Sequence, residues 1–127
     1  MSGPRPGVRT VRRPVPAVVA DAERRGVAVV VVEPVDSKAA LLDEFARALE
    51  FPGWVGRNWD ALADALGDLS WLPPGARVLV WAGADALRAA QPTAYRTALE
   101  VLRDATRRST DSGRPLTVLL APSPESP

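Results

Sequence analysis

The stretch VAVVVVE, from Val27 to Glu33, is an almost unbroken run of β-branched residues. A continuous apolar run of this length is typical of a strand buried on both faces, because a strand with one exposed face alternates apolar and polar residues. We therefore expect a central strand here. Two later runs, RVLVWA at 77–82 and PLTVLLA at 115–121, predict two more strands.

Helical patterns fill the intervals between these strands. The stretch at 36–50 starts with capping residues and repeats its apolar residues at helical spacing. Asn58 is a suitable N-cap for the next helix, and Gly26 suits the end of a short N-terminal helix. The predicted helices span 17–25, 36–50, 59–68, 85–90 and 93–108. This order predicts an α/β fold in which a three-stranded parallel sheet is flanked by about four helices, in addition to the N-terminal one.

Composition divides the chain into three parts. Residues 1–16 combine prolines and glycines with four arginines, which predicts a basic, disordered arm. Residues 17–121 contain all the predicted strands and helices and form a single domain. Residues 122–127, which consist mainly of proline and serine, predict a flexible tail.

The amino-acid content also narrows the function. The 127 residues, 46% hydrophobic and 24% charged, have the composition of one globular domain. Cysteine and histidine are both absent, which excludes disulfides and removes the usual general base and the commonest metal ligand. We expect a protein that is not an enzyme, has no cofactor and is monomeric when free. No apolar run has the length of a membrane span and no signal-peptide pattern is present, so the sequence predicts a cytoplasmic location.

Charge is unevenly distributed along the chain. Residues 1–26 carry six arginines against two acids, a net charge of +4, whereas residues 36–69 carry three basic and seven acidic residues, a net charge of −4. An acidic segment of this kind suits a positively charged partner. An ordinary solvated helix face has the same composition, so charge alone does not decide between the two.

The acidic segment contains FPGWVGRNWDAL, Phe51 to Leu62, which combines turn-forming residues with two tryptophans. So many turn residues exclude a core strand, and a solvent loop rarely contains two tryptophans. On the following helix, Asp60 and Asp64 are four residues apart and project from one face. Two interpretations stay open. Asp60 can be a first-turn acid favoured by the helix dipole, with Asp64 merely solvated, or both can form an anionic surface for a cationic partner, framed by Trp54 and Trp59.

The longer stretch LEFPGWVGRNWDALADAL, 49–66, resembles the central loop and second helix of barstar-type ribonuclease inhibitors. The family motif places an aromatic residue, glycine, asparagine, Asp-Ala-Leu and a second aspartate at fixed spacings. The residues that match it in register are Gly56, Asn58, Asp60, Ala61, Leu62, Asp64 and Leu66. The resemblance extends over about 27–120.

This resemblance implies a small α/β inhibitor that binds a secreted microbial ribonuclease one to one, inside the producing cell. It implies that the helix at 59–68 and its preceding loop cover the active-site groove of the ribonuclease. Asp64 is then the dominant acidic anchor, Asp60 a second acidic contact, and Trp54 an aromatic that packs on the catalytic histidine. The predicted partner-binding residues are Trp54, Gly56, Arg57, Asn58, Trp59, Asp60, Ala63, Asp64 and Asp104, the last at the place of a glutamate contact in the family.

The sequence departs from the family pattern at three places. Ala63 stands where the family has an aromatic residue before the second acid. Arg57 places a positive charge inside the contact loop, where a basic partner would repel it unless it points away or meets an acid. Arg107 and Arg108 follow Asp104 and reduce the negative charge of that helix. These differences suggest a less basic ribonuclease as the partner.

Three alternatives remain open at the level of sequence. The protein can be an immunity protein for a polymorphic toxin that need not be a ribonuclease. Asp60, Asp64 and Asp104 can form a divalent-metal site for phosphoryl chemistry. The arm with Arg5, Arg9, Arg12 and Arg13 can tether nucleic acid, although we expect no nucleic-acid partner. Nucleotide binding has no support, because no glycine-rich loop follows a predicted strand.

Overall fold

A computed structural model describes residues 7–123, which form four strands and five helices. The strands are β1 (Gly7–Thr10), β2 (Ala28–Val32), β3 (Arg77–Ala82) and β4 (Leu116–Ala121). The helices are α1 (Val15–Arg24), α2 (Lys38–Ala48), α3 (Trp59–Asp68), α4 (Asp85–Ala90) and α5 (Pro92–Ser109). In this part of the chain, no helix has the length and apolar character that crossing a membrane requires.

The sheet is parallel and has four strands in the order β1-β4-β3-β2, so the prediction of three strands is wrong by one. The additional strand is β1, which pairs with β4 from Gly7 opposite Thr117 to Thr10 opposite Leu120. Its sequence, GVRT, has no strand pattern of its own. The strand forms because β4 would otherwise present an unpaired edge, to which β1 supplies hydrogen bonds.

β1 also lies within residues 1–16, the predicted disordered arm. The described part of that arm, from residue 7 onward, contains β1 and the first turn of α1, which begins at Val15 with Pro16 in a position that suits proline. Residues 1–6 of the predicted arm and residues 124–127 of the predicted tail lie outside the described residues.

β2 lies at an edge of the sheet, so the prediction that it is central is wrong. Both of its faces are nevertheless covered, since Val30 and Val32 belong to the apolar cluster on one side of the sheet, and Val29 and Val31 pack against the cluster on the other side. An unbroken apolar run therefore indicates that both faces of a strand are covered by helices. It does not indicate that the strand has a neighbouring strand on each side.

The open edge of β2 is capped by an ion pair from α2. Glu44 Oε2 accepts a hydrogen bond from the Glu33 backbone N–H at 2.7 Å, and Arg47 Nη2 donates one to the Val31 carbonyl at 3.0 Å. Arg47 also donates two hydrogen bonds to the Glu44 carboxylate, at 2.6 and 2.8 Å. These bonds from Arg47 hold the pKa of Glu44 below its usual value, against the effect of burial. The ion pair thus provides hydrogen-bond partners for edge backbone groups that could otherwise pair with another strand.

The sheet separates two apolar clusters of unequal size. The larger cluster lies between the sheet and helices α2 to α5 and includes the fully buried side chains of Phe45, Trp81 and Leu102. The smaller one lies on the opposite face, where Val18 of α1 packs with Val78 and Val80 of β3. Helix α1 therefore covers one face of the sheet, and the other four helices cover the other.

Candidate partner-binding site

The connection between α2 and α3 is held in place by a chain of aromatic contacts. The rings of Phe51 and Trp71 meet edge to face with centroids 5.7 Å apart, and Trp71 and Trp54 do so at 6.1 Å. Trp71 Nε1 donates to the Leu49 carbonyl at 2.9 Å, which fixes the middle ring to the end of α2. Phe51 and Trp71 are half-buried against the core. Trp54 is thus supported by the Trp71 ring, which is itself fixed to the body of the protein.

Trp54 itself is 75% exposed and is the exposed large hydrophobic side chain of residues 7–123. A lone exposed tryptophan exposes much apolar surface to water without stabilising the fold in proportion. Its position on a rigid connection, next to an acidic helix, is typical of an aromatic anchor at a protein interface.

Helix α3 begins at a well-formed cap and displays its acids in a row. Asn58 Oδ1 accepts a hydrogen bond from the Ala61 backbone N–H at 2.8 Å, as the N-cap prediction requires. Asp60, Asp64 and Asp68 follow at intervals of four and are all exposed, so they share one face of the helix. Within the described residues, none of the three forms an ion pair.

A groove of about 330 Å³ runs between this helix and the connection. It is lined by Trp54, Val55, Gly56, Ala61, Asp64, Ala65 and Asp68. A side chain at Gly56 would crowd the N-cap of α3, because a Cβ there would stand 3.2 Å from Asn58 Nδ2. The groove brings together predicted residues from the loop and the helix, and adds Asp68.

Asp68 was not predicted as a site residue. It continues the four-residue spacing of Asp60 and Asp64, so the signal was present in the sequence. Its carboxylate accepts a hydrogen bond from the Ser70 hydroxyl at 2.8 Å, which leaves its other oxygen without a described partner. Asp64 and Asp68 thus supply two carboxylates to one groove.

Trp59 does not join Trp54 in lining the groove. Its side chain is half-buried and packs against the large apolar cluster, and the Lys38 ammonium lies 5.3 Å from the centre of its ring. The structure therefore assigns Trp59 contacts with the body of the protein, and the expected frame of two tryptophans is reduced to one.

The contact-loop arginine is held by an acid of the same chain. Arg57 Nε donates to Asp43 Oδ1 on α2 at 3.1 Å, and Arg57 Nη1 donates to the Val55 carbonyl at 3.3 Å. Both members of the ion pair are largely exposed, so the pair contributes little to stability. It directs the positive charge towards α2.

Asp104 is likewise engaged within the chain. Arg107 and Arg108 donate to its two carboxylate oxygens at 3.2 and 3.1 Å. Arg108 Nη2 also donates to the Ala63 carbonyl at 2.9 Å and so links α5 to α3. The arginine side chain therefore lies between two predicted site residues, and the negative charge of Asp104 is already compensated in the free protein.

In the described part of the chain, the acids of the site are not grouped as a metal centre requires. Residues 7–123 contain no group of three or more carboxylates placed to hold a metal ion. Asp60, Asp64 and Asp104 are therefore not brought together as the metal-dependent alternative requires.

Residues 26–121 match the family model described as Barstar (barnase inhibitor). The chain belongs to the barstar family. The predicted resemblance is thereby confirmed, and the matched region contains α3, the preceding loop and all nine predicted contact residues. β1 and α1 lie before it, which marks them as additions to the part that the family model describes. No curated protein matches the chain.

Proposed function

We propose that this barstar-family protein inhibits a secreted microbial ribonuclease inside the producing cell, by placing α3 and the 51–58 loop over the ribonuclease active site. The observation that carries the proposal is the charge balance of this face. Asp60, Asp64 and Asp68 lack cationic partners within residues 7–123, whereas the neighbouring cations of Arg57 and Arg108 are paired with acids. The face therefore presents uncompensated negative charge.

A ribonuclease active site is a cationic cleft built to bind a phosphodiester. Carboxylates held on a rigid helix can occupy that cleft in place of the phosphate, because their positions are fixed before binding. The Asn58 cap and the buried leucine face of α3 supply that rigidity. We assign Asp64 the role of principal anchor, since it stands on the exposed face of the helix and lines the groove.

Trp54 and Asp68 complete the proposed contact. An arginine or lysine side chain of the ribonuclease that enters the groove would meet the carboxylates of Asp64 and Asp68 and the Trp54 indole. Once the complex forms, the indole also excludes water from these charged pairs, which strengthens them.

The internally paired arginines bear on the choice of target. Asp104 enters the interface already neutralised by Arg107 and Arg108, so we expect it to contribute less than an unpaired acid would. This supports a target with a less basic surface opposite α5.

An immunity protein for a different toxin is the second candidate. Arg108 donates a hydrogen bond to the carbonyl of Ala63, the residue at which the family pattern has an aromatic side chain. The centre of the contact face therefore differs from that pattern, as a changed target would require.

The test is a titration of RNA cleavage. Small secreted microbial ribonucleases, including any encoded beside the gene of this protein, are mixed with increasing amounts of the purified full chain. We expect cleavage by the target to fall linearly to zero at one equivalent of inhibitor. If no ribonuclease is inhibited while a neighbouring toxin without ribonuclease activity is bound at one to one, the ribonuclease proposal fails and the second candidate replaces it.

A further inference from the structure

A second depression, of about 350 Å³, opens at the carboxyl ends of β1, β3 and β4. Its walls are formed by residues 10–12 at the end of β1, residues 120–122 at the end of β4, and residues 84–85 at the start of α4, together with Arg88 and Tyr95. We call it the strand-end crevice. No residue of α3 or of the 51–58 loop lines it, so it is distinct from the proposed docking face.

The topology explains why a crevice forms at this point. The chain leaves β1 towards α1, on one face of the sheet, and leaves β3 towards α4, on the opposite face. β4 lies between these two strands and continues into residues 122 and 123. Where connections of a parallel sheet depart to opposite faces, the space outside the strand ends stays open, and this is where α/β proteins bind small ligands. One wall depends on β1, outside the region that the family model matches.

Two arginines reach the crevice from different elements. Arg12 follows β1, Arg88 lies on α4, and both are exposed. Within residues 7–123, neither guanidinium makes a hydrogen bond or an ion pair, in contrast to the paired Arg47, Arg57 and Arg108. Two unpaired guanidinium groups at one concave site favour an anion, and their planar donor sets fit a phosphate.

The remaining lining indicates more than an inorganic ion. Val11, Ala84 and Leu120 supply apolar surface, and the half-buried ring of Tyr95 is held against Trp81 with centroids 6.0 Å apart. Asp85 adds one carboxylate, which can accept a hydrogen bond from a hydroxyl group. A volume of about 350 Å³ lies at the small end of the range for organic ligands.

We propose that the strand-end crevice binds a small organic phosphate, namely a phosphate monoester on a body that carries hydroxyl groups. Arg12 and Arg88 hold the phosphate, the apolar wall and Tyr95 contact the body, and Asp85 accepts from a hydroxyl. No glycine-rich loop in the sequence signals such a site, because these contacts come from side chains of separate elements and not from a loop of backbone N–H groups.

Calorimetric titration of the full chain with adenosine 5′-monophosphate, adenosine and inorganic phosphate tests this site. We expect the monophosphate to bind at one to one, inorganic phosphate to bind more weakly, and adenosine not to bind at millimolar concentration. Arg12→Gln and Arg88→Gln should each weaken binding of the monophosphate about tenfold or more, since each removes a charge-assisted contact.

Arg103→Gln is the matched control. Arg103 is an exposed arginine of α5 that does not line the crevice, so its removal changes net charge equally and should leave binding unchanged. The proposal is overturned if neither the monophosphate nor phosphate binds, or if all three arginine variants bind the monophosphate as wild type does. Melting curves show whether a variant is folded, and Arg88→Glu gives a second variant at the same position.

The outcome is independent of ribonuclease inhibition. Arg88→Gln should inhibit the target ribonuclease as well as wild type does, because Arg88 lies outside the docking face. If the protein inhibits the ribonuclease but does not bind the monophosphate or phosphate, the proposed function stands and the inference about the strand-end crevice fails. If it binds the monophosphate but inhibits no ribonuclease, the inference stands and the proposed function fails.

Discussion

Replacing Trp54 with alanine should weaken partner binding more than it weakens folding. A tryptophan side chain buries roughly 200 Å² when it is fully covered, and Trp54 is 75% exposed in the free protein. About 150 Å² therefore remains for a partner to cover, which at about 25 cal/mol per Å² gives at most about 4 kcal/mol. Allowing for incomplete burial, we expect a loss of about 2–4 kcal/mol, or roughly 30- to 1000-fold in Kd.

The cost to folding should be smaller. The quarter of the side chain that is already covered corresponds to about 1 kcal/mol, and the edge-to-face contact with Trp71 adds about 0.5–1.5 kcal/mol. We expect Trp54→Ala to lose about 1.5–2.5 kcal/mol of the free energy of unfolding, which leaves a folded protein for the binding measurement.

Trp59→Ala is the matched control because the same residue type is removed from a different setting. Trp59 packs against the core and under Lys38, so its loss should lower the unfolding free energy by about 2 kcal/mol or more and change Kd less than Trp54→Ala does. Urea unfolding and calorimetric binding to the inhibited ribonuclease measure the two quantities. If Trp54→Ala binds as wild type does, or if the two variants show the reverse order of effects, the assignment of Trp54 as an anchor is refuted.

Three further substitutions test other parts of the structure. Glu44→Gln should lower thermal stability at neutral pH. Because the folded pKa of Glu44 lies below the ordinary value of 4.5, the greater stability of the wild type should be present above about pH 4.5 and vanish as the pH falls through the folded pKa. Curves of melting temperature against pH that stay parallel for wild type and variant down to about pH 2 would contradict this. Arg77→Met should leave the unfolding free energy unchanged or raise it by up to about 2 kcal/mol. Arg77 is buried and its Nη1 has no hydrogen-bond partner, and desolvation, with a smaller effect of repulsion from Arg114, lowers the pKa of its guanidinium. A loss above about 1 kcal/mol in denaturant unfolding would show that the hydrogen bond from Arg77 to the Pro73 carbonyl outweighs the cost of burying the charge. The double substitution Arg107→Ala and Arg108→Ala frees the Asp104 carboxylate and should speed association with a cationic ribonuclease by up to about tenfold at low salt, an effect that stopped-flow measurements should see disappear at high salt. An unchanged or slower association rate at low salt would contradict a cationic partner surface opposite this part of α5.

Most of the fold could be predicted from local patterns. The apolar runs at 77–82 and 115–121 and the capped helix at 59–68 appear where they were predicted, because their burial and caps are encoded within each segment. β1 was missed since GVRT becomes a strand only through pairing with β4, more than 100 residues later. The edge position of β2 was missed for a related reason, because periodicity reports which faces are buried and not which neighbours a strand has.

The candidate site was predictable where one helix or loop carries it. Asp60 and Asp64 share a face by spacing alone, and Asp68 could have been added by the same rule. The pairing of Arg57 with Asp43 and the bond from Arg108 to Ala63 join residues 14 and 45 positions apart. No sequence pattern fixes such contacts, and they decide which charges of the face remain free. The family resemblance implies the position of the proposed docking face, and the structure gives the charge balance of that face.

The most direct test of the proposed inhibitor compares Asp64→Asn with Asp111→Asn in the titration of ribonuclease activity. Both substitutions remove one exposed carboxylate without changing side-chain size, but Asp64 lines the groove and Asp111 lies in the turn after α5. We predict that Asp111→Asn inhibits as wild type does and that Asp64→Asn raises the inhibition constant at least 30-fold, about 2 kcal/mol or more, as expected when one partner of a desolvated charge pair is removed at an interface, a range known in part from the barnase–barstar complex. Equal inhibition by the two variants would contradict the placement of the inhibitory site on α3.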